Sequence, residues 1–231
     1  MYQPLPGVAE APNSTADKPS WSDRASRCLP LTCLVFVIVL GLMAAGGPVA
    51  TSGTPRRMPN VSPRPDHSDI NRLARWLIHE ADWGVVSTLS RHLNGAPFGN
   101  VVSYADGPRG NSTGRLLFYL TTLDATAYDA QANASAMLTV SEAQLPGSCR
   151  GLDAEDPPCA KISILGELHR VPASEEGAAR NLLFPRHPAM QDWPAGHEFH
   201  MYELFIQQIQ LLAWYGGPRQ ITPQDYFGVQ L

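Results

Sequence analysis

"LFYLTTLDATAYDAQANASAMLTV", residues 117–140, begins and ends in short runs of Leu, Phe, Tyr, Met and Val and carries "DATAYDAQAN" between them. Such a change of period predicts a strand, a short helix and a second strand. The stretch contains no Lys, Arg or His, and no basic residue occurs between Arg115 and Arg150. Outward from it, runs of the same kind recur: "WGVVSTLS", "FGNVVSYA", "RLLFYLTT", "SAMLTVSE", "AKISILGELHRV", "FHMYELFIQQ" and "IQLLAWY", separated by Gly, Pro and Asn turns. Their β-branched and aromatic content predicts strands, and their number predicts a barrel or sandwich. The fold class expected is therefore α+β, mainly β.

Few helices accompany these strands. "DHSDINRLARWLIHEAD" places Ile70, Leu73, Ala74, Leu77, Ile78 and Ala81 on one helical face, with Asp66 or Ser68 as the N-cap. A second helix is expected at "SEEGAARNLLF", capped by Ser174 with acids in its first turn. "ITPQDYF" offers Thr222 as a cap and Pro223 at the first helical position.

The N-terminal part has a different composition. Residues 1–28 are rich in Pro, Ala and Ser and are expected to be a disordered leader. Residues 29–47, "LPLTCLVFVIVLGLMAAGG", carry no charge and follow Arg24 and Arg27. Such a run is either a cleaved signal peptide or a signal anchor. Residues 48–65 have the Pro-rich character of a linker, which leaves 66–231 as the folded domain. The expected route is the secretory pathway, ending in an extracellular or lysosomal place, with membrane contact only through 29–47.

The whole chain carries a formal charge of −4, and residues 66–231 hold eleven Lys and Arg against eighteen Asp and Glu, a balance of −7. Such a surface repels a phosphate backbone, so nucleic acid is not expected as a partner. Within 66–231 the only cysteines are Cys149 and Cys159, flanking "RGLDAEDPP". In an oxidising compartment the pair reads as one disulfide worth about 2–3 kcal/mol, with two unrelated thiols as the alternative. Acceptor sequons for N-glycosylation stand at Asn60, Asn111 and Asn133, besides Asn13 in the leader. Asn111 lies in "DGPRGNSTG", which is made of turn formers and should be exposed.

Other chemistry is not suggested. His197 and His200 of "HEFH" are expected on one strand, facing opposite sides, which makes them poor joint metal ligands. Gly107, Gly110 and Gly114 nearly spell a phosphate loop but lack its lysine and its strand-to-helix setting. There is no GxSxG, and no catalytic residue is assigned. Trp76, Trp83, Trp193 and Trp214 read as core or interface residues.

The order of "ADWGVVSTLS", "GAPFGNVVSYADGP", the 117–140 stretch, the two cysteines, "FPRHPAMQDWP" and "WYGGPRQITPQDYF" resembles the CREG family, the cellular repressors of adenoviral early-gene-stimulated transcription. The resemblance runs from about Asp66 to the C-terminus. It implies a homodimeric split β-barrel of the FMN-binding, pyridoxamine-phosphate-oxidase-like type, in a secreted and lysosomal glycoprotein that influences growth and differentiation. Mannose-6-phosphate or growth-factor-type receptors would be its partners. Flavin-binding relatives carry a segment like Ser-Arg-Leu-Ala-x-His-Thr-Arg-Asn as a phosphate clamp. Laid on "TTLDATAYD", it puts Thr122 and Tyr128 at the arginines, Thr126 at the histidine and Asp129 at the asparagine. The clamp is degenerate, so the expectation is a non-catalytic protein without a cofactor, the alternative being an FMN-dependent oxidoreductase. The loop between the cysteines, with Asp153, Glu155 and Asp156, is either a cover for the pocket of that clamp or an exposed hairpin turn kept short by the crosslink.

Overall fold

The computed structural model describes residues 61–231. The leader 1–28, the apolar run 29–47, most of the linker 48–65 and the Asn13 and Asn60 sequons lie outside those residues. No helix among the described residues is long and apolar enough to cross a membrane. Val61 packs against the core, Ser62 Oγ donates to Glu80 Oε1 at 2.5 Å, and the Ser62 carbonyl accepts from Trp76 Nε1 at 3.1 Å. Residues 61–65, read from sequence as the end of the linker, are thus tied to the barrel.

Helix α1 (Ile70–Glu80) buries Leu73, Ala74, Leu77 and Ile78 completely, as the helical spacing predicts. Its opposite side is covered too, since Arg75, Trp76, His79 and Glu80 are also buried. The N-cap is Asp69, whose carboxylate accepts from Arg72 N at 3.2 Å, rather than Asp66 or Ser68. Asp66 is engaged one turn earlier, accepting from Ser68 N and Ser68 Oγ at 2.8 and 2.6 Å.

The strands are β1 (Trp83–Leu89), β2 (Pro97–Ser103), β3 (Leu117–Leu120), β4 (Ser135–Ser141), β5 (Lys161–Arg170), β6 (His200–Leu212) and β7 (Arg219–Ile221). They form one sheet in the order β2-β1-β4-β5-β6-β3, with β7 paired to β6 and every pairing antiparallel. A bridge between Ala105, just beyond β2, and Leu117 at the start of β3 joins the two ends of that order. The sheet therefore curls into a half-closed barrel, filled by residues such as Val86, Tyr104, Phe118, Leu138, Ile162, Ile164 and Leu211. Covering edges this way leaves few unpaired backbone groups.

Helix α2 (Ala125–Ala130) links β3 to β4, and α3 (Glu176–Leu183) lies outside the barrel over a second cluster containing Leu117, Val171, Leu183, Met190 and Met201. Ser174 does not cap α3: the cap position is Glu175, with no side-chain cap bond. Ser174 instead sits in a tight turn closed by Glu175 N donating to Pro172 O at 2.9 Å. Helix α4 (Pro223–Gly228) begins as expected, Thr222 accepting from Asp225 N with proline in the first turn.

Strand β6 replaces the two strands expected at "FHMYELFIQQ" and "IQLLAWY". Leu165 pairs with Gln208 but Gly166 pairs with Ile206, so Gln207 is an extra residue, a β-bulge. Inward positions switch there from Tyr202 and Leu204 to Ile209 and Leu211. One strand with a phase change reads as two.

Candidate functional site

Of the four positions laid on the flavin-binding pattern, Thr122 lies between β3 and α2, and Thr126, Tyr128 and Asp129 lie on α2. Asp124 caps α2, accepting from Thr126 N at 2.9 Å, and its two carboxylate oxygens receive Asn100 Nδ2 at 3.0 and 2.9 Å. Thr126 is fully buried and its hydroxyl also lies 3.0 Å from Asn100 Nδ2. Asp129 is fully buried, accepting from Thr88 Oγ1 at 2.8 Å and from Arg91 N at 2.9 Å. The side chains of Asn100 and Thr88 and the Arg91 backbone N–H are therefore turned onto the protein's own carboxylates. A phosphate dianion brought here would meet two anions in a partly buried setting, which raises its energy rather than lowering it.

Tyr128 does meet a basic residue, although none is near it in sequence. Arg91, just after β1, lays its guanidinium 3.9 Å from the Tyr128 ring centre and donates to the Tyr128 carbonyl at 3.4 Å. His92 stacks on the same ring at 4.9 Å. Thr122 points elsewhere, into a cleft of about 370 Å³ shared with Gln131, Arg170, Glu198, His200 and Tyr202. The four positions of the degenerate clamp thus do not converge: Thr126 and Asp129 are buried in separate hydrogen-bond groups, Tyr128 joins an exposed basic stack, and Thr122 lines its own cleft.

Beside Asp124 lies a groove of about 340 Å³ lined by Val101, Ser103, Tyr119, Thr121, Trp193 and Phe199. Tyr119 stacks with Phe199 at 5.2 Å and with Trp193 at 6.0 Å, and Arg180 lies over the Tyr119 ring at 4.9 Å. The desolvation of Arg180 is outweighed by its bonds to Glu176 and Tyr119, which hold it firmly charged. Sequence reading marked Trp193 but missed Asn100, Thr88 and Arg91. They come from β1, β2 and the turn after β1, and no local spacing announces them. Trp76 is a core residue, whereas Trp83, Trp193 and Trp214 are each at least 40% exposed.

Cys149 and Cys159 are joined, with Cα atoms 4.8 Å apart. Their loop connects β4 to β5 at the Ser141 and Lys161 end, while α2 enters β4 at the Ser135 end. Within one chain the acidic loop is thus a strand's length from Asp124 and Asp129 and does not cover them. Lys161 Nζ instead gathers it, donating to the carbonyls of Ala154, Glu155 and Asp156. His197 and His200 do not share a strand, because His197 ends a short 3-10 turn (Ala195–His197) and His200 opens β6. Among the described residues no group of three or more His, Cys, Asp or Glu is placed to hold a metal. Asn111 and Asn133 are both exposed.

A profile of the CREG β-barrel family matches residues 65–228. The chain belongs to the CREG family. Protein CREG1 of Mus musculus is 40% identical over 180 residues, covering 76% of this chain and 80% of that protein. Protein CREG1 of Homo sapiens is 37% identical over 173 residues, covering 73% and 78%. Among solved structures, the heme binding protein of Mycobacterium smegmatis superposes with a TM-score of 0.57 at 18% identity over 72% of this chain. The chain spans 62% of that protein, and the likeness is one of fold. The CREG chain thus shares with that protein a curled, half-closed antiparallel barrel.

Proposed function

We propose that this CREG protein is a non-catalytic, glycosylated, dimeric ligand of the secretory and endolysosomal system that influences cell growth and differentiation through receptors of the mannose-6-phosphate or growth-factor type. One observation carries the non-catalytic reading: Asp124 and Asp129 take up Asn100 Nδ2, Thr88 Oγ1 and the Arg91 N–H in the region where a flavin phosphate would need donors. The dimer is supported by the outer face of β1, β2 and β4, where Leu89, Val101 and Met137 are exposed among uncharged neighbours.

Purified protein titrated with FMN is expected to leave flavin fluorescence unchanged up to about 100 μM, a Kd weaker than about −5.5 kcal/mol of binding. A yellow preparation with micromolar affinity would replace this reading with the second one, an FMN-dependent oxidoreductase. That second reading draws on Arg91 at the Tyr128 position and on the aromatic groove beside Asp124. The same preparation is expected to weigh as a dimer by native mass spectrometry at micromolar concentration, and a monomer there removes the dimer.

Routing is assigned to glycans on Asn111 and Asn133. Both side chains are exposed, so Asn111→Gln with Asn133→Gln should leave the fold intact and send the protein into the medium instead of lysosomes. Unchanged lysosomal delivery of the folded double variant would shift recognition to the protein surface.

A further inference from the structure

The cleft that receives Thr122 is built from four pieces of chain. Thr122 follows β3, Ala130 and Gln131 end α2, Leu168 to Arg170 end β5, and Glu198, His200 and Tyr202 come from the approach to β6 and its first residues. Its floor is firm: Leu168 and Tyr202 are 1% and 5% exposed, and Ala130 is buried as well. Its walls carry donors. Arg170 presents a guanidinium, Thr122 a hydroxyl, Gln131 an amide and His200 an imidazole. Burial raises the pKa of the Tyr202 phenol, so that group too is a neutral donor.

Arg170 Nη2 lies 2.8 Å from His200 Nδ1. A guanidinium has only donors, so the contact exists only while Nδ1 is unprotonated. Protonation makes both groups donors and both cations, and the pair must then separate or share an anion. The acids near it are mostly engaged. Glu176 on α3 is bound to Arg180 at 2.8 Å, Glu167 on β5 faces His169 at 2.9 Å, and Glu203 on β6 is paired with Arg115. Among the described residues Glu198 alone lines the cleft as a carboxylate without a recorded ion pair.

We propose that this cleft is a binding site for a small phosphomonoester, with its phosphate held between Arg170, His200 and Thr122, and that protonation of His200 opens it. Donors arriving from the ends of three strands suit a tetrahedral oxyanion better than a planar carboxylate, and Arg is suited to its bidentate recognition. Gln131 and Glu198 remain to receive hydroxyl groups, which selects a phosphorylated polyol over bare phosphate. A volume of about 370 Å³ suits a ligand of that size. The site shares Thr122 with the positions laid on the flavin pattern but none of Asp124, Thr126, Tyr128 and Asp129.

The test is calorimetric titration of the intact protein with inorganic phosphate and with glycerophosphate, at about pH 5.5 and about pH 7.5. Binding of glycerophosphate is expected to be at least about tenfold tighter at the lower pH, and tighter than that of inorganic phosphate. Arg170→Gln should weaken it by about tenfold or more at the lower pH, and His200→Gln should remove the gain at the lower pH, leaving only the change set by the ester's own second ionisation at about pH 6. Arg170 is exposed and His200 only partly buried, so both variants should keep the parent's thermal midpoint. Affinity untouched by Arg170→Gln overturns the site, and a gain at the lower pH as large in His200→Gln as in the parent overturns the gate. Glycerophosphate binding no tighter than phosphate overturns the polyol.

Discussion

Replacement of Arg75 by methionine is expected to cost the domain about 3–5 kcal/mol, the range seen when one member of a buried charged network is removed. Arg75 is 2% exposed in the middle of α1. Its Nη1 donates to the carbonyls of Tyr226 and Val229, both at 3.0 Å, and its Nη2 donates to Ser112 O and Oγ at 3.2 and 2.8 Å. Ser112 Oγ in turn donates to Asp106, which is fully buried and also meets His79 Nδ1 at 2.6 Å. Methionine fills much of the volume but leaves four acceptor contacts unmade and the Asp106 charge less balanced, and buried acceptors without partners are costly. Gly114 shows how tightly the space is shared: a Cβ there would lie 2.9 Å from the Arg75 guanidinium carbon. Lysine would not rescue the site, because a point charge cannot serve both the C-terminal carbonyls and Ser112. The measurement is thermal unfolding, where a domain of this size should lose about 10 °C. A loss below about 3 °C would mean that α4 and the 106–114 loop are held by apolar packing alone.

The sequence reads well where a local pattern and the tertiary environment agree. The buried face of α1, the short helix after β3, the Thr222 cap and the disulfide pair all follow from residues within one turn or one loop of each other. It reads poorly where partners come from far along the chain. Even locally a choice stayed open, since Asp66 bonds Ser68 and leaves Asp69, the next carboxylate, to cap α1 at Arg72 N. The absence of the pattern's two arginines was legible, since Thr122 and Tyr128 carry no positive charge. What those residues do instead was not legible. Asn100 and Thr88 reach α2 from neighbouring strands, and the Arg170 and His200 pair forms only because the ends of β5 and β6 lie side by side.

Gly166→Val is expected to destabilise the domain by about 3 kcal/mol or more, at the upper end of overpacking penalties. A Cβ on Gly166 would stand 2.2 Å from the Phe205 carbonyl oxygen and 2.9 Å from its carbon. Those are backbone atoms of the paired strand, so no rotamer change relieves the clash. The close approach exists because the bulge at Gln207 draws Phe205 in toward Gly166. Straightening β6 would remove the clash but shift its register by one residue, turning either Tyr202 and Leu204 or Ile209 and Leu211 out of the core. The chain therefore cannot accept the side chain without losing one half of the β5–β6 pairing. The half beyond the bulge carries Leu168, Arg170, His200 and Tyr202, so hydrogen exchange should quicken there before it does around Ile162 and Ile164. Uniformly faster exchange along both halves, or a thermal midpoint within about 2 °C of the parent, would show that the bulge adapts and that Gly166 is not what fixes it.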